Sequence, residues 1–167
     1  MSGRLLAQRT AIAAALALVC GLGNIAAHAE GLFSQLAGSW SGSGTISLNS
    51  GSRERIRCRA NYSPGGGGTT LRLDLRCASD SFKFELRGDL SAPGSSIAGT
   101  WSEITRKVFG TVTGGGTPEQ IIVTARSPTF SAFLTVSTNG NRQNVIIQSP
   151  GSEMSEVSIM LARGGRR

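Results

Sequence analysis

Histidine is almost missing from this 167-residue chain, which has one, His28. His28 falls in a leader-like segment, so the remainder has no imidazole at all. That excludes Ser-His-Asp and Cys-His catalysis, and it excludes histidine-based zinc sites. Cysteine is scarce as well, with Cys20, Cys58 and Cys77 only. Lysine is rare beyond the leader, where Lys83 and Lys107 stand among many arginines. No long stretch carries the three-to-four spacing of an amphipathic helix. The one extended apolar run, Ala11–Leu22, is too short to span a bilayer comfortably.

The leader has the order of a secretory signal. Arg4 and Arg9 precede the apolar run, and Ala27-His28-Ala29 follows it as a small-x-small cleavage site. Cleavage is expected before Glu30. This divides the chain into a signal peptide, 1–29, and a single domain, 30–167, with a short basic tail from Gly164 to Arg167. Val19 stands before Cys20, where a lipoprotein signal would want a small residue. Cleavage removes Cys20 and leaves an even pair of cysteines. The expected location is periplasmic or secreted, with no transmembrane segment after cleavage. The formal net charge of +7 suits an anionic partner such as envelope polysaccharide, acidic lipid or an acidic protein. Solubility alone is the alternative.

Two stretches organise the rest. From Arg53 to Tyr62, residues Arg53, Arg55, Arg57 and Arg59 share one face, and Ile56, Cys58, Ala60 and Tyr62 share the other. From Thr69 to Cys77, Leu71, Leu73, Leu75 and Cys77 alternate with Arg72, Asp74 and Arg76. Both have the period of half-buried strands. Ser63-Pro-Gly-Gly-Gly-Gly68 between them reads as a turn. Pairing Tyr62 with Leu73 and Ala60 with Leu75 sets Cys58 opposite Cys77, at a spacing a disulfide bridges. The alternative is two buried free thiols; export favours the bond.

The remaining chain alternates in the same way. A short helical turn is expected over Glu30–Ala37. Strands are expected at Trp40–Leu48, Phe82–Leu90, Ile97–Ile104, Val108–Thr113, Glu119–Arg126, Phe130–Ser137, Gln143–Gln148 and Glu156–Arg163. Gly114–Gly116 reads as a turn, and Asn139-Gly140 as a type I′ hairpin signal. A tight Asp80-Ser81 turn sets Arg76 opposite Glu85, Asp74 opposite Arg87 and Arg72 opposite Asp89, a register in which every cross-strand pair is of opposite charge. The regular turn spacing predicts an all-β fold: an antiparallel up-and-down barrel of about 8–10 strands with one disulfide.

Gly38-Ser39-Trp40, following a short helical turn and opening a strand meander, resembles the start of a lipocalin-type (calycin) barrel. In that family the tryptophan packs at the closed end against an arginine near the end of the last strand. The resemblance therefore implies that Trp40 meets Arg163 at barrel closure. Glu54-Arg-Ile-Arg-Cys-Arg-Ala-Asn-Tyr62, Leu75-Arg-Cys-Ala-Ser-Asp-Ser-Phe-Lys83 and Gly99-Thr-Trp-Ser-Glu-Ile-Thr-Arg106 resemble a group of small exported proteins of alphaproteobacteria. That resemblance implies envelope location and a shared fold, and no activity.

No catalytic residue, metal site or cofactor is expected. The glycine runs lack the Lys-Ser/Thr that a phosphate cradle needs. Two functional classes remain. One is a barrel holding a small apolar ligand near Phe82, Phe84 and Trp101. The other is an inhibitor-like envelope interaction module using its loops or the face formed by Arg53, Arg55, Arg57, Arg59 and Arg76. That face has no aromatic on which bases could stack, so nucleic acid is not expected.

Overall fold

Strict alternation of apolar and polar residues gives each strand one dry face, and ten such strands close on themselves. The structure is a computed structural model and describes residues 30–164. The expected signal peptide and residues 165–167 lie outside the described residues. A short 3-10 turn, Ser34–Leu36, precedes β1 Gly38–Leu48, β2 Arg53–Gly65, β3 Thr70–Ala78, β4 Lys83–Ser91 and β5 Ser96–Glu103. β6 Val108–Gly116, β7 Gln120–Arg126, β8 Ser131–Asn139, β9 Arg142–Gln148 and β10 Met154–Arg163 follow. Each strand pairs antiparallel with its sequence neighbours, and β1 pairs with β10 to close the barrel. Among the described residues, no sheet edge is left to pair with another chain.

The registers are those the charge and cysteine patterns dictate. Tyr62 opposes Leu73, Ala60 opposes Leu75, and Cys58 opposes Cys77 with their Cα atoms 4.1 Å apart and their sulfurs bonded. Across β3 and β4, Arg72 opposes Asp89, Asp74 opposes Arg87 and Arg76 opposes Glu85. Two of these pairs form ion pairs, Arg72–Asp89 at 3.2 Å and Arg87–Asp74 at 3.4 Å. Their side chains are more than half exposed, so each contributes about 1 kcal/mol or less and selects register more than it adds stability.

One end of the barrel is sealed. Leu32, Phe33 and Leu36 are buried beneath it, and each contributes about 1.5–3 kcal/mol by leaving water. Trp40 is 1% exposed and donates from Nε1 to the Leu36 carbonyl at 2.8 Å. Arg163 opposes Trp40 across the closing seam. Its guanidinium lies 4.4 Å from the indole centroid and donates to the Gln35 and Ala37 carbonyls. The arginine therefore ties the last strand to the first and to the turn beneath them. Arg163→Lys keeps the charge but loses the planar fork that serves two carbonyls and the ring together. It is expected to lower stability by about 1–2 kcal/mol, measurable as a lower urea midpoint with unchanged slope.

Three local expectations are corrected. Gly114–Gly116 is not a turn: β6 continues through Gly116, pairing with β5 on one side and β7 on the other. A Cβ on Gly114 would lie 2.2 Å from the Ile122 carbonyl oxygen, so glycine there permits a close strand approach. β2 likewise runs on through Pro64 and Gly65 before the chain turns at Gly66–Gly68. At the β8–β9 hairpin Asn139 pairs with Arg142, so Gly140 and Asn141 form the turn. Gly140 has φ 56°, and Lys107 is the one described non-glycine residue with positive φ. A type I′ turn needs positive φ at both central residues, so this turn is of another type.

Candidate functional site

The inner wall is apolar and incompletely filled. Ile46, Ile56, Ile159 and Leu161 are at most 4% exposed, which shows that the sheet itself covers the backbone of inward-facing residues. Leu73, Leu75, Leu86, Leu134, Val136, Ile147 and Val157 also face inward, yet they are only partly buried. Their remaining exposure therefore opens onto the lumen. These side chains lie on β3–β4 and on β8–β10, on opposite sides of the barrel. Gly88 on β4, opposite Leu73, adds space, since a Cβ there would have no neighbour nearer than 3.7 Å; Gly99 on β5, opposite Leu90, instead permits a close strand approach, since a Cβ there would lie 2.2 Å from the Asp89 carbonyl oxygen. Ten strands enclose more volume than eight because diameter grows with strand number.

The lumen has a polar feature at its sealed end. The Tyr62 hydroxyl donates to Gln143 Oε1 at 2.7 Å, and Gln143 Nε2 donates to Thr138 Oγ1 at 3.2 Å. All three residues are buried. Burial drives the Tyr62 pKa far above the ordinary phenol value, against the opposing pull of the Gln143 bond. Gln143 did not stand out in the sequence, although it shares its alternating face with Val145 and Ile147 and so was legible as an inward polar residue. Tyr62→Phe leaves Gln143 Oε1 without its donor. The expected loss is about 1–3 kcal/mol, read from a denaturant melt.

The residues singled out as ligand contacts form two groups. Phe82 and Phe84 stack with centroids 6.1 Å apart and rings 8° from parallel. The Arg106 guanidinium lies 4.8 Å above Phe84, at the end of the barrel opposite Trp40. Trp101 instead packs against Phe130, at 5.7 Å. It stands between Gly88 and Gly110, its partners on β4 and β6. Its Nε1 is buried and has no hydrogen-bond partner among the described residues.

Glu103, the next inward residue on β5, is the buried carboxylate of the open end, with its side chain 7% exposed. Burial pushes its pKa upward, but the backbone N–H groups of Glu85, Arg106 and Thr105 donate to it and the net shift is downward. A depressed folded-state pKa means the carboxylate stabilises the fold above the ordinary carboxylate range, and that contribution is lost as pH falls through the folded value. Glu103→Gln is expected to lose about 1.5–3 kcal/mol at pH 7. The difference from the unmodified chain should shrink as melts are taken below about pH 4.3.

Outside the barrel, Arg53, Arg55, Arg57, Arg59 and Arg76 are all exposed on one wall. Arg59 and Arg76 are directly opposed, a like-charge pair that costs stability. Among the described residues, no Asp or Glu oxygen lies within 4.0 Å of any of the five.

No family model matches the chain, and no curated protein matches it. Solved structures do share its shape. The S-type phycobiliprotein lyase CpeS from Guillardia theta aligns with a TM-score of 0.57 at 10% identity, covering 81% of this chain and 92% of that one. Rv2717c from M. tuberculosis aligns with a TM-score of 0.61 at 14% identity, covering 79% and 94%. At these identities the similarity shows the fold alone, a closed antiparallel β-barrel.

Proposed function

We propose that this chain is an exported, non-catalytic barrel that holds a small apolar ligand in its lumen. The observation that carries this reading is the residual lumenal exposure of mid-strand residues such as Leu75 and Val136, beside wall neighbours that are fully dry. Pockets for small molecules are largely apolar, with a few polar groups to orient the guest. Here the wall is apolar, and the Tyr62–Gln143–Thr138 chain is already satisfied within itself. The guest is therefore an apolar molecule selected mainly by size. Export is supported by the order of charge, apolar run and Ala27-His28-Ala29 in the leader, and by the paired cysteines of the domain.

Native mass spectrometry of the protein purified without denaturant tests both parts. The expected species begins at Glu30, is two hydrogens lighter than the reduced chain, and carries a co-purified apolar molecule. A retained leader with three alkylatable thiols counts against export. A protein that carries no guest and takes up no hydrophobic probe counts against the lumenal site.

A further inference from the structure

The outer surface of β1 and β2 has a composition that lumenal binding does not use. Arg53, Arg55, Arg57 and Arg59 form a row on β2 with alternate residues about 6.6 Å apart, so the row is about 20 Å long. Across the seam on β1 they face Ser47, Thr45, Ser43 and Ser41 in turn. The result is a low hydroxyl floor beside a bank of guanidinium groups. Two open depressions lie along this seam. One, of about 520 Å³, is lined by Ser43, Thr45, Arg53, Glu54 and Arg55; the other, of about 610 Å³, is lined by Ser41, Arg59, Asn61, Asp74 and Arg76.

The charge arrangement sets this seam apart from the adjoining one. Every opposed outward charge pair between β3 and β4 is of opposite sign. Between β2 and β3, Arg59 faces Arg76. Glu54, the acid nearest in sequence to the row, is engaged elsewhere: it accepts from the Ser79 hydroxyl and the Ser81 N–H. Asp74, which lines the second depression, is paired with Arg87 at 3.4 Å. With both acids engaged elsewhere, arginines held side by side form a site short of negative charge.

We propose that this seam binds an extended anionic polysaccharide, its acidic groups on the arginine row and its hydroxyls on the serine and threonine floor. Guanidinium forks recognise carboxylate and phosphate alike, so either acidic group satisfies the row. The hydroxyl floor favours a polyol backbone. The seam has no aromatic platform for single-stranded nucleic acid. Barrel closure leaves no strand edge on which an acidic peptide could add its main chain.

The test is titration of the full chain with polygalacturonate (carboxylate), a phosphorylated dextran (phosphate), neutral dextran and a single-stranded oligonucleotide, at two salt concentrations. At least one acidic polysaccharide should bind, more weakly at the higher salt. The two acidic arms identify which group the row takes. The double substitution Arg55→Ser/Arg57→Ser should weaken that binding at least tenfold. Arg126→Ser/Arg142→Ser, with the same change in net charge on other strands, should leave it within twofold. Arg59→Ser should weaken binding while leaving the melting temperature unchanged or higher, since it relieves the contact with Arg76. Equal losses from the two double variants, dextran binding equal to that of the acidic polymers, or tighter oligonucleotide binding would each overturn the proposal.

Discussion

A hydrophobic fluorescent probe should bind the full chain saturably, and Leu75→Trp or Leu134→Trp should weaken it at least tenfold. Both side chains face the lumen from the middle of opposing walls and retain exposed area there. An added indole occupies the volume a guest needs, and a tenfold loss corresponds to about 1.4 kcal/mol. Stability supplies the second readout. Enlarging a side chain in a well-packed core costs about 1–3 kcal/mol. In an open lumen the larger ring enters space already present, so melting should hardly change. Loss of stability without loss of probe binding would mean that the interior is filled and that the probe sits elsewhere. Trp101→Ala should also change probe affinity, but removing a buried tryptophan costs about 3–5 kcal/mol. Trp101→Phe is therefore the cleaner comparison.

Where a residue's role is set by alternation alone, the sequence made the fold legible. Leu71, Leu73 and Leu75 against Arg72, Asp74 and Arg76 defined a strand, its inward face and, through opposite-charge pairing with Glu85, Arg87 and Asp89, its register. The Trp40–Arg163 contact was legible from a short motif and the position of one arginine. Glycine was the main obstacle. Gly114–Gly116 has no side chains to display a period, so a strand segment in close contact with its neighbours has the same signature as a loop. The candidate site was legible only in part. Alternation shows which residues face inward, but not how completely they fill the space between opposing walls. Nor does it show where a side chain reaches along the barrel: Trp101, on β5, lies against Phe130 of the β7–β8 loop and not in ring contact with Phe82 or Phe84. Glu103 was legible as a carboxylate on an inward face, but its three N–H donors come from β4 and from the β5–β6 turn, which only folding brings to it.

Reducing the Cys58–Cys77 bond, or replacing both residues by serine, should destabilise the fold by about 3 kcal/mol in the chain-entropy model. For a domain of this size that corresponds to a fall in melting temperature of about 10 °C. The two residues are 19 apart in sequence, and both are buried on the inward face of adjacent strands. The bond fastens β2 to β3 beside the like-charge pair Arg59–Arg76. In the oxidised chain, unfolding leaves those arginines tethered near one another, so part of their repulsion persists in the unfolded state and drops out of the stability difference. In the reduced chain, unfolding lets them separate fully, and the whole repulsion counts against the fold. Salt screens exposed charges over about 10 Å at 0.1 M and less at higher concentration. Added sodium chloride should therefore raise the melting temperature of the reduced chain more than that of the oxidised chain. Arg59→Ser should remove most of that difference. Equal melting temperatures for the oxidised and reduced chains would show that the bond contributes nothing. Equal salt responses would show that the two arginines are already screened by solvent where they stand.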